Sequence, residues 1–460
     1  LDAIVAKAIR KEPEHRYASA AALGDDLTRH LEGRPVRARA GTFTYRASRV
    51  LRRHRAMAVA SAIVVASVIA GVAATLHQAT RAERRFAQVR ALANAFVFDV
   101  HDRIEYLPGS TEARKAIVST GLAYLETLRA DLGGDRGLAL ELAASYEKLG
   151  NVQGNPLQSN LGDAAGGLAS LARAEELLTP MAERGDVEAR RLLASVLLRT
   201  ATITRAAGDT KASLALFVRA RDLAEAAVAA APGQRAALSI AGEIHQDYGR
   251  VAYELRDYPS ADASARRSMA IAQQLLAIDP GNVDYRNNLG SAENAIALTA
   301  LASGRLEDAA AHFRASIDTR EHLVRDAPDN TSYRRNLLVA YGMLADVLGY
   351  RIGQNLGDIA GAIAALQRVV ALAEAARVAD PSDRRAPFDL ASAQLRLGSL
   401  LIDDGRPQEA EAVLRQARTH TTALLAPDPR NDRVGYVDAV IAARLGDALA
   451  ASGRTGEAAS

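Results

Sequence analysis

Residues 284–330 read DYRNNLGSAENAIALTALASGRLEDAAAHFRASIDTREHLVRDAPDN. Two helix-forming runs meet at Gly304-Arg305, and the second closes at Ala327-Pro328. Glycine stops a helix because it enters the left-handed region without a Cβ clash, and proline stops one because it lacks the N–H. The stretch is one helix hairpin. Outward from it, prolines that close apolar helical runs recur at Pro232, Pro280, Pro328, Pro381 and Pro429, at intervals of 48, 48, 53 and 48 residues. A fixed period in this range predicts a solenoid, in which each unit buries its apolar face against its neighbours. From about Gly137 onward the pattern holds six complete hairpins and a seventh cut short at Ser460.

These units resemble tetratricopeptide repeats. Leu397-Gly398 with Gly405, and Leu445-Gly446 with Gly453, match the first helix of that family, while Ala309 and Phe313 match the second. The family repeat has about 34 residues, so a 48-residue period adds roughly seven residues, or two turns, to each helix. The resemblance implies that first helices line an inner groove for a protein or peptide ligand. A polar pattern recurs there: Tyr285-Arg286 with Asn288 returns as Tyr333-Arg334 with Asn336, although Asp389 replaces the asparagine in the next repeat. A groove asparagine can hold a peptide backbone irrespective of its side chains, which makes these six residues the candidate partner-binding set; the structural alternative is that they join adjacent units. The 53-residue interval holds an insertion, GYRIGQNLGDIAGAI (349–363), whose core recurs as GNPLQSNLGDAAGGL (154–168). Its Asn-Leu-Gly-Asp is read as a longer turn whose aspartate caps the next helix.

The composition agrees with an all-α fold. Of 460 residues, 49% are hydrophobic and only 4% aromatic, with no tryptophan, and alanine dominates. The absence of cysteine removes disulfides, thiolate metal sites and cysteine nucleophiles. None of the nine histidines forms H-E-x-x-H, and Asp403-Asp404-Gly405 lacks the spaced oxygen ligands of a calcium loop, so no metal or cofactor is expected in this chain. Residues 1–76 carry 13 Lys/Arg against 6 Asp/Glu, whereas residues 77–460 carry 44 against 48. A nucleic-acid partner would need a basic folded body, and this one is slightly acidic.

Residues Ala56 to Leu76 (AMAVASAIVVASVIAGVAATL) run 21 positions without a charge, long enough at about 1.5 Å per residue to cross a bilayer core. Seven arginines between Arg37 and Arg55 precede the run with no acid among them, and Arg81, Arg84, Arg85 and Arg90 follow it alongside Glu83. This bias places the N-terminal segment in the cytoplasm and the repeats outside it. Small residues at four-residue spacing (Ala62, Ala66, Ala70, Ala74) allow close helix approach and hence a homodimer.

Before the span, two amphipathic helices carry Ile4, Val5 and Ile9 on one and Leu23, Leu27 and Leu31 on the other, the second capped by Ser19. The segments LDAIVAKAIRKEP, HRYASAAAL and DDLTRHLEGRPV resemble the last part of the C-lobe in bacterial membrane-anchored serine/threonine protein kinases, with Lys11, Pro13, Arg16, Tyr17, Ser19, Ala20, Leu23 and Leu27 in register. The resemblance implies a structural role for Arg16, a buried ion pair with a glutamate that this chain does not contain. The glycine-rich phosphate loop, the V-A-I-K strand, H-R-D and D-F-G do not occur. The chain is thus expected to bind no ATP itself, with ATP and Mg²⁺ belonging to a catalytic lobe upstream of Leu1. The expected order is a kinase C-lobe remnant (1–36), a basic linker (37–55), the membrane helix (56–76), a helical stalk (77–136) and the solenoid (137–460).

Overall fold

The computed structural model describes residues 1–39, 56–81 apart from 58, 61, 62 and 79, then 110–130, 132–350, 354–383 and 385–458. Every regular element among them is helical, and the chain divides into two units, Leu1–Val100 and His101–Ser460.

In the first unit, α1 (Asp2–Ala8) and α2 (Ala20–Leu31) flank a 3-10 turn at Pro13–His15. Ser19 accepts the Ala22 N–H at 3.1 Å and so caps α2. Ile4 is buried but Leu31 is 85% exposed, so the repeated leucines of α2 do not close a core within this unit. Ile4 and Val36 are its buried apolar side chains among the described residues of 1–39, and beside them it buries a carboxylate. Asp26, fully buried, accepts the Tyr17 hydroxyl at 2.8 Å and the Arg37 and Ala38 N–H groups at 2.6 and 2.7 Å. Against the effect of burial, these bonds hold its carboxyl below the usual range, and burial beside it pushes Tyr17 up to about 12. Exposed Arg16 donates to the Arg10 and Lys11 carbonyls at the end of α1, at 2.5 and 3.1 Å; the carboxylate partner implied by the kinase resemblance has no counterpart among the described residues.

Helix α3 (Ile63–Gln78) covers most of the described part of the predicted span; residues 56, 57, 59 and 60 before it are helical too, and 58, 61 and 62 lie outside the described set. Its apolar side chains face outward, Ile63, Val68 and Leu76 each at least 60% exposed. One helix among the described residues is long and apolar enough by itself to cross a membrane, and it is another one, Ile359–Ala379. That helix buries Ala362, Leu366 and Val369 against the first helices on either side, which is the packing of a repeat helix.

The second unit opens with α4 (Thr111–Ala130), which lies within the expected stalk but packs on α5. Six hairpins follow: α5/α6 (Arg136–Gly154, Ala164–Glu183), α7/α8 (Val187–Ala206, Thr210–Ala230), α9/α10 (Arg235–Glu254, Tyr258–Ile278), α11/α12 (Val283–Ala302, Leu306–Asp326), α13/α14 (Thr331–Ala345, Ile359–Ala379) and α15/α16 (Arg385–Asp403, Pro407–Leu425). Helix α17 (Asp432–Ala451) and a final turn, α18 (Thr455–Ala458), begin a seventh. Asp135, Asp186, Asn282, Asn330 and Asn431 cap first helices through their side chains; Asp163, Asp209, Asp257 and Asp358 cap second helices. The turns use glycine at positive φ, at Gly208, Gly304, Gly405 and Gly453, but the third hairpin places Arg256 there at φ 63°, a strain of about 1 kcal/mol. In the two inserted loops Asn160 and Asn355 fold the chain over Gly162 and Gly357, and Asp163 and Asp358 then accept from Gly166 and Gly361 N–H at 2.9 and 2.8 Å. Past Ala345 the first helix of the fifth hairpin loosens into a π turn, Asp346–Tyr350.

Every second helix packs against its own first helix and against the first helix of the next hairpin. The eighth residue of each second helix points into this three-helix space: Leu171, Phe217, Phe313, Leu366 and Leu414 are each fully buried there. Each contributes about 2–3 kcal/mol by leaving water. In α10 the same position is Ala265.

Candidate partner-binding site

Three of the junctions between hairpins are locked by one glutamate with two partners. Glu126 on α4 accepts the Tyr146 hydroxyl of α5 at 3.1 Å and pairs with Arg173 of α6 at 2.7 Å. Glu321 on α12 binds Tyr341 of α13 at 2.7 Å and Arg368 of α14 at 3.0 Å. Between them, Glu225 on α8 binds His245 of α9 and Arg267 of α10, both at 2.8 Å. Arg267 holds the Glu225 carboxyl below its usual range, and burial holds His245 below its own. An ionised Glu225 needs a donor, so the Nε2 of a neutral His245 carries the proton and Nδ1 is left as an acceptor. Buried Nδ1 has no hydrogen-bond partner among the described residues.

First helices also meet one another. Between α7 and α9, Arg199 pairs with Glu243 at 2.5 and 3.0 Å, and Ser195 beside it bonds Glu147 of α5. The seam is closed by charge. One repeat later, residues 48 positions on from Arg199 and Glu243 are Asp247 and Ser291, which cannot make that pair. Ala295, two repeats on from Arg199, and Ala265 beneath are equally short of volume. A cavity of about 330 Å³ opens between α9, α10 and α11. Most of its exposed wall is apolar, with Ala265, Ala292, Ala295 and Leu298 contributing, and its polar lining includes His245, Asp247, Arg250 and Asn294. Burial pushes the Asp247 carboxyl above its usual range; Arg250 at the rim binds it at 2.6 Å.

Successive antiparallel hairpins, with every second helix packed between its own and the next first helix, make the array a tetratricopeptide-like α-solenoid. No protein-family model matches the chain, and no curated protein matches it. Among solved structures, BtubC (BKLC) from P. vanneervenii is 17% identical, covering 56% of this chain and 91% of its own, with a TM-score of 0.41. The apo form of RapI is 9% identical over 80% of this chain and 94% of its own, at 0.45. A tetratricopeptide repeat protein from Parabacteroides merdae is 13% identical over 70% and 99%, at 0.24.

The six residues singled out in the sequence do not share one cleft. Arg286 pairs with Asp326 at 2.6 Å and donates to the Pro280 carbonyl at 3.1 Å, tying the end of α12 to the turn before α11. Tyr285 and Tyr333 are half-buried at the starts of their helices, with their N–H groups bound by the caps Asn282 and Asn330. Asn288 is half-buried on α11, and Asn336 is exposed on α13. Arg334 lines a separate cavity of about 470 Å³ between α13, α14 and α15, with Asp380 and Asp389. Among the described residues no group of three or more histidines and acids is placed to hold a metal ion. The glutamate locks and the α9–α11 cavity were not recognised in the sequence. The locks do leave a trace, since Glu126, Glu225 and Glu321 each precede their Tyr or His by 20 residues.

Proposed function

We propose that this chain is the C-terminal part of a membrane-anchored serine/threonine protein kinase and that its solenoid is a sensor or partner-binding module. The binding role is carried by the open α9–α11 seam, a concave site with a largely apolar wall and several polar groups, next to an α7–α9 seam that is closed by charge. Kinase parentage rests on the tail motif from Lys11 to Leu27. ATP and Mg²⁺ would be handled by the catalytic lobe of the parent, with the chain itself a non-catalytic extension. Anchoring rests on the uncharged run 56–76, whose described side chains face outward, and sidedness on the arginines from Arg37 to Arg55. The small-residue spacing in the same run supports pairing of two chains, which would bring two kinase lobes together. The second reading is a non-enzymatic membrane scaffold, favoured by the lack of every phosphate-handling motif in residues 1–460.

The coding sequence upstream of Leu1 separates the two. A kinase lobe with a catalytic loop in frame supports the first reading, and an in-frame stop codon leaves the scaffold. A reporter fused after Ser460 that works only in the cytoplasm should be silent; activity would reverse the topology.

A further inference from the structure

We propose that the junction between α8 and α9 is an acid-sensitive joint, shut while His245 is neutral and loosened when His245 takes up a proton. The device belongs to the array itself and holds whichever parent the chain has. Two of the three glutamate locks present their carboxylate with a tyrosine, Tyr146 or Tyr341. Burial pushes the Tyr146 hydroxyl up to about 12 and raises that of Tyr341 as well, so neither changes charge near neutrality. The middle lock puts an imidazole in the same place, 6% exposed, with Nε2 2.8 Å from Glu225. At the α6–α7 junction the corresponding residues are Leu177 and Leu197, and those helices approach more closely than α8 and α9 do. The α8–α9 junction thus relies more on its polar bridge.

The surroundings of His245 favour the neutral ring. Arg267 of α10 already meets the Glu225 carboxylate at 2.8 Å, and Arg221 of α8 is stacked on the Tyr248 ring. A protonated imidazole would be the third cation around one carboxylate. Elsewhere the charges are taken up: Arg199 of α7 pairs with Glu243, and Asp247 and Arg250, which line the His245 cavity, pair with each other at 2.6 Å. Helix α11 lines that cavity with uncharged side chains only. Protonation would also add an N–H at Nδ1, a buried atom with no hydrogen-bond partner among the described residues. An opened joint lets water solvate both N–H groups, so the open form binds the proton more tightly than the closed one. Acid therefore favours opening. The joint holds in full above the ordinary histidine value of 6.5 and loosens as pH falls below it.

The test is hydrogen–deuterium exchange of the full chain in lipid nanodiscs at about pH 7.5, 6.5 and 5.5, corrected for the intrinsic pH dependence of exchange. The three locks serve as controls for one another. Opening of the amides in residues 222–250 should rise by up to about tenfold per pH unit below 6.5, the limit set by one proton. The stretches around Tyr146 and Tyr341 should hold level. His245→Tyr should level the middle stretch too, and His245→Gln takes its place if that variant misfolds. An acid response confined to residues 222–250 and lost with His245 supports the joint. Equal responses at all three locks, no response at any, or a response that survives in the His245 variant overturns it.

Discussion

Helix α9 takes part in two seams built from the same positions of the repeat, and they end in opposite states. Toward α7, Arg199 and Glu243 meet in a hydrogen-bonded ion pair, with Glu147 and Ser195 behind them. Toward α11, Asp247 stands opposite Ser291 and a cavity results. The backbone scaffold on the two sides is alike, so the difference lies in three side chains, Asp247, Ser291 and Ala265, and not in helix length or turn geometry. A repeat array can therefore acquire a site by omission. Where one unit lacks the ion pair of the seam before it and the large residue of the other second helices, the solenoid opens.

The closed seam should be the more sensitive to change. Arg199→Met leaves Glu147 and Glu243 without their common partner in a half-buried seam, and about 3 kcal/mol of stability should be lost, as measured by urea unfolding of the full chain. A loss below about 0.5 kcal/mol would mean that packing alone holds the seam and that the comparison with the open side is empty.

Transplanting the pair should close the open side. Asp247→Arg combined with Ser291→Glu recreates the α7–α9 arrangement between α9 and α11, with a gain of up to about 1 kcal/mol in urea unfolding. If the double variant is less stable than either single one, the two seams do not share a geometry. Removing the open-side charge should matter less. The folded-state pKa of Asp247 is raised by burial, so its ionised form burdens the fold at neutral pH and is relieved below the unfolded carboxylate range. Asp247→Ala should accordingly lie within about 0.5 kcal/mol of wild type at pH 7, on the stabilising side if Arg250 finds solvent. A loss comparable to that of Arg199→Met would show that Asp247 holds its seam together as Arg199 does, and the contrast between the two seams would fall.

The smallest effect concerns pH. Burial holds the folded-state pKa of His245 below its ordinary 6.5, so its contribution is complete above pH 6.5 and is lost as pH falls through the lower folded value. His245→Tyr installs the residue that the two sister locks use at Tyr146 and Tyr341. The variant should unfold with a shallower loss of stability on acidification just below pH 6.5 than wild type, and equal slopes would show that the middle lock does not titrate as described.

Much of the array was legible because its signals are local. Proline spacing marked the hairpin ends, Gly304, Gly405 and Gly453 marked turns that need positive φ, and the aspartates of both Asn-Leu-Gly-Asp loops cap the following helices through their own side chains. The binding residues were less legible. Arg286 returns at the solenoid period as Arg334, yet Arg286 ties a turn to α12 while Arg334 lines a cavity, roles that periodicity alone cannot tell apart from a groove contact. The apolar segment Ile359–Ala379 shows the same limit from the other side, since its composition suits a membrane while its neighbours make it a core helix.

What the sequence by itself determined is the all-α hairpin array, its elongated period and the position of its turns, because capping, glycine and proline effects act within a few residues of their cause. Which pairs of side chains meet across hairpins was decided only by the tertiary structure. Glu225 reaches His245 and Arg267 across 20 and 42 residues, and Asp247 and Ser291, 44 residues apart, line one cavity. Such encounters depend on how far one helix rolls against the next, a quantity set by the volume of residues such as Ala265 and Phe313 summed over the packed layer and written in no single stretch of chain.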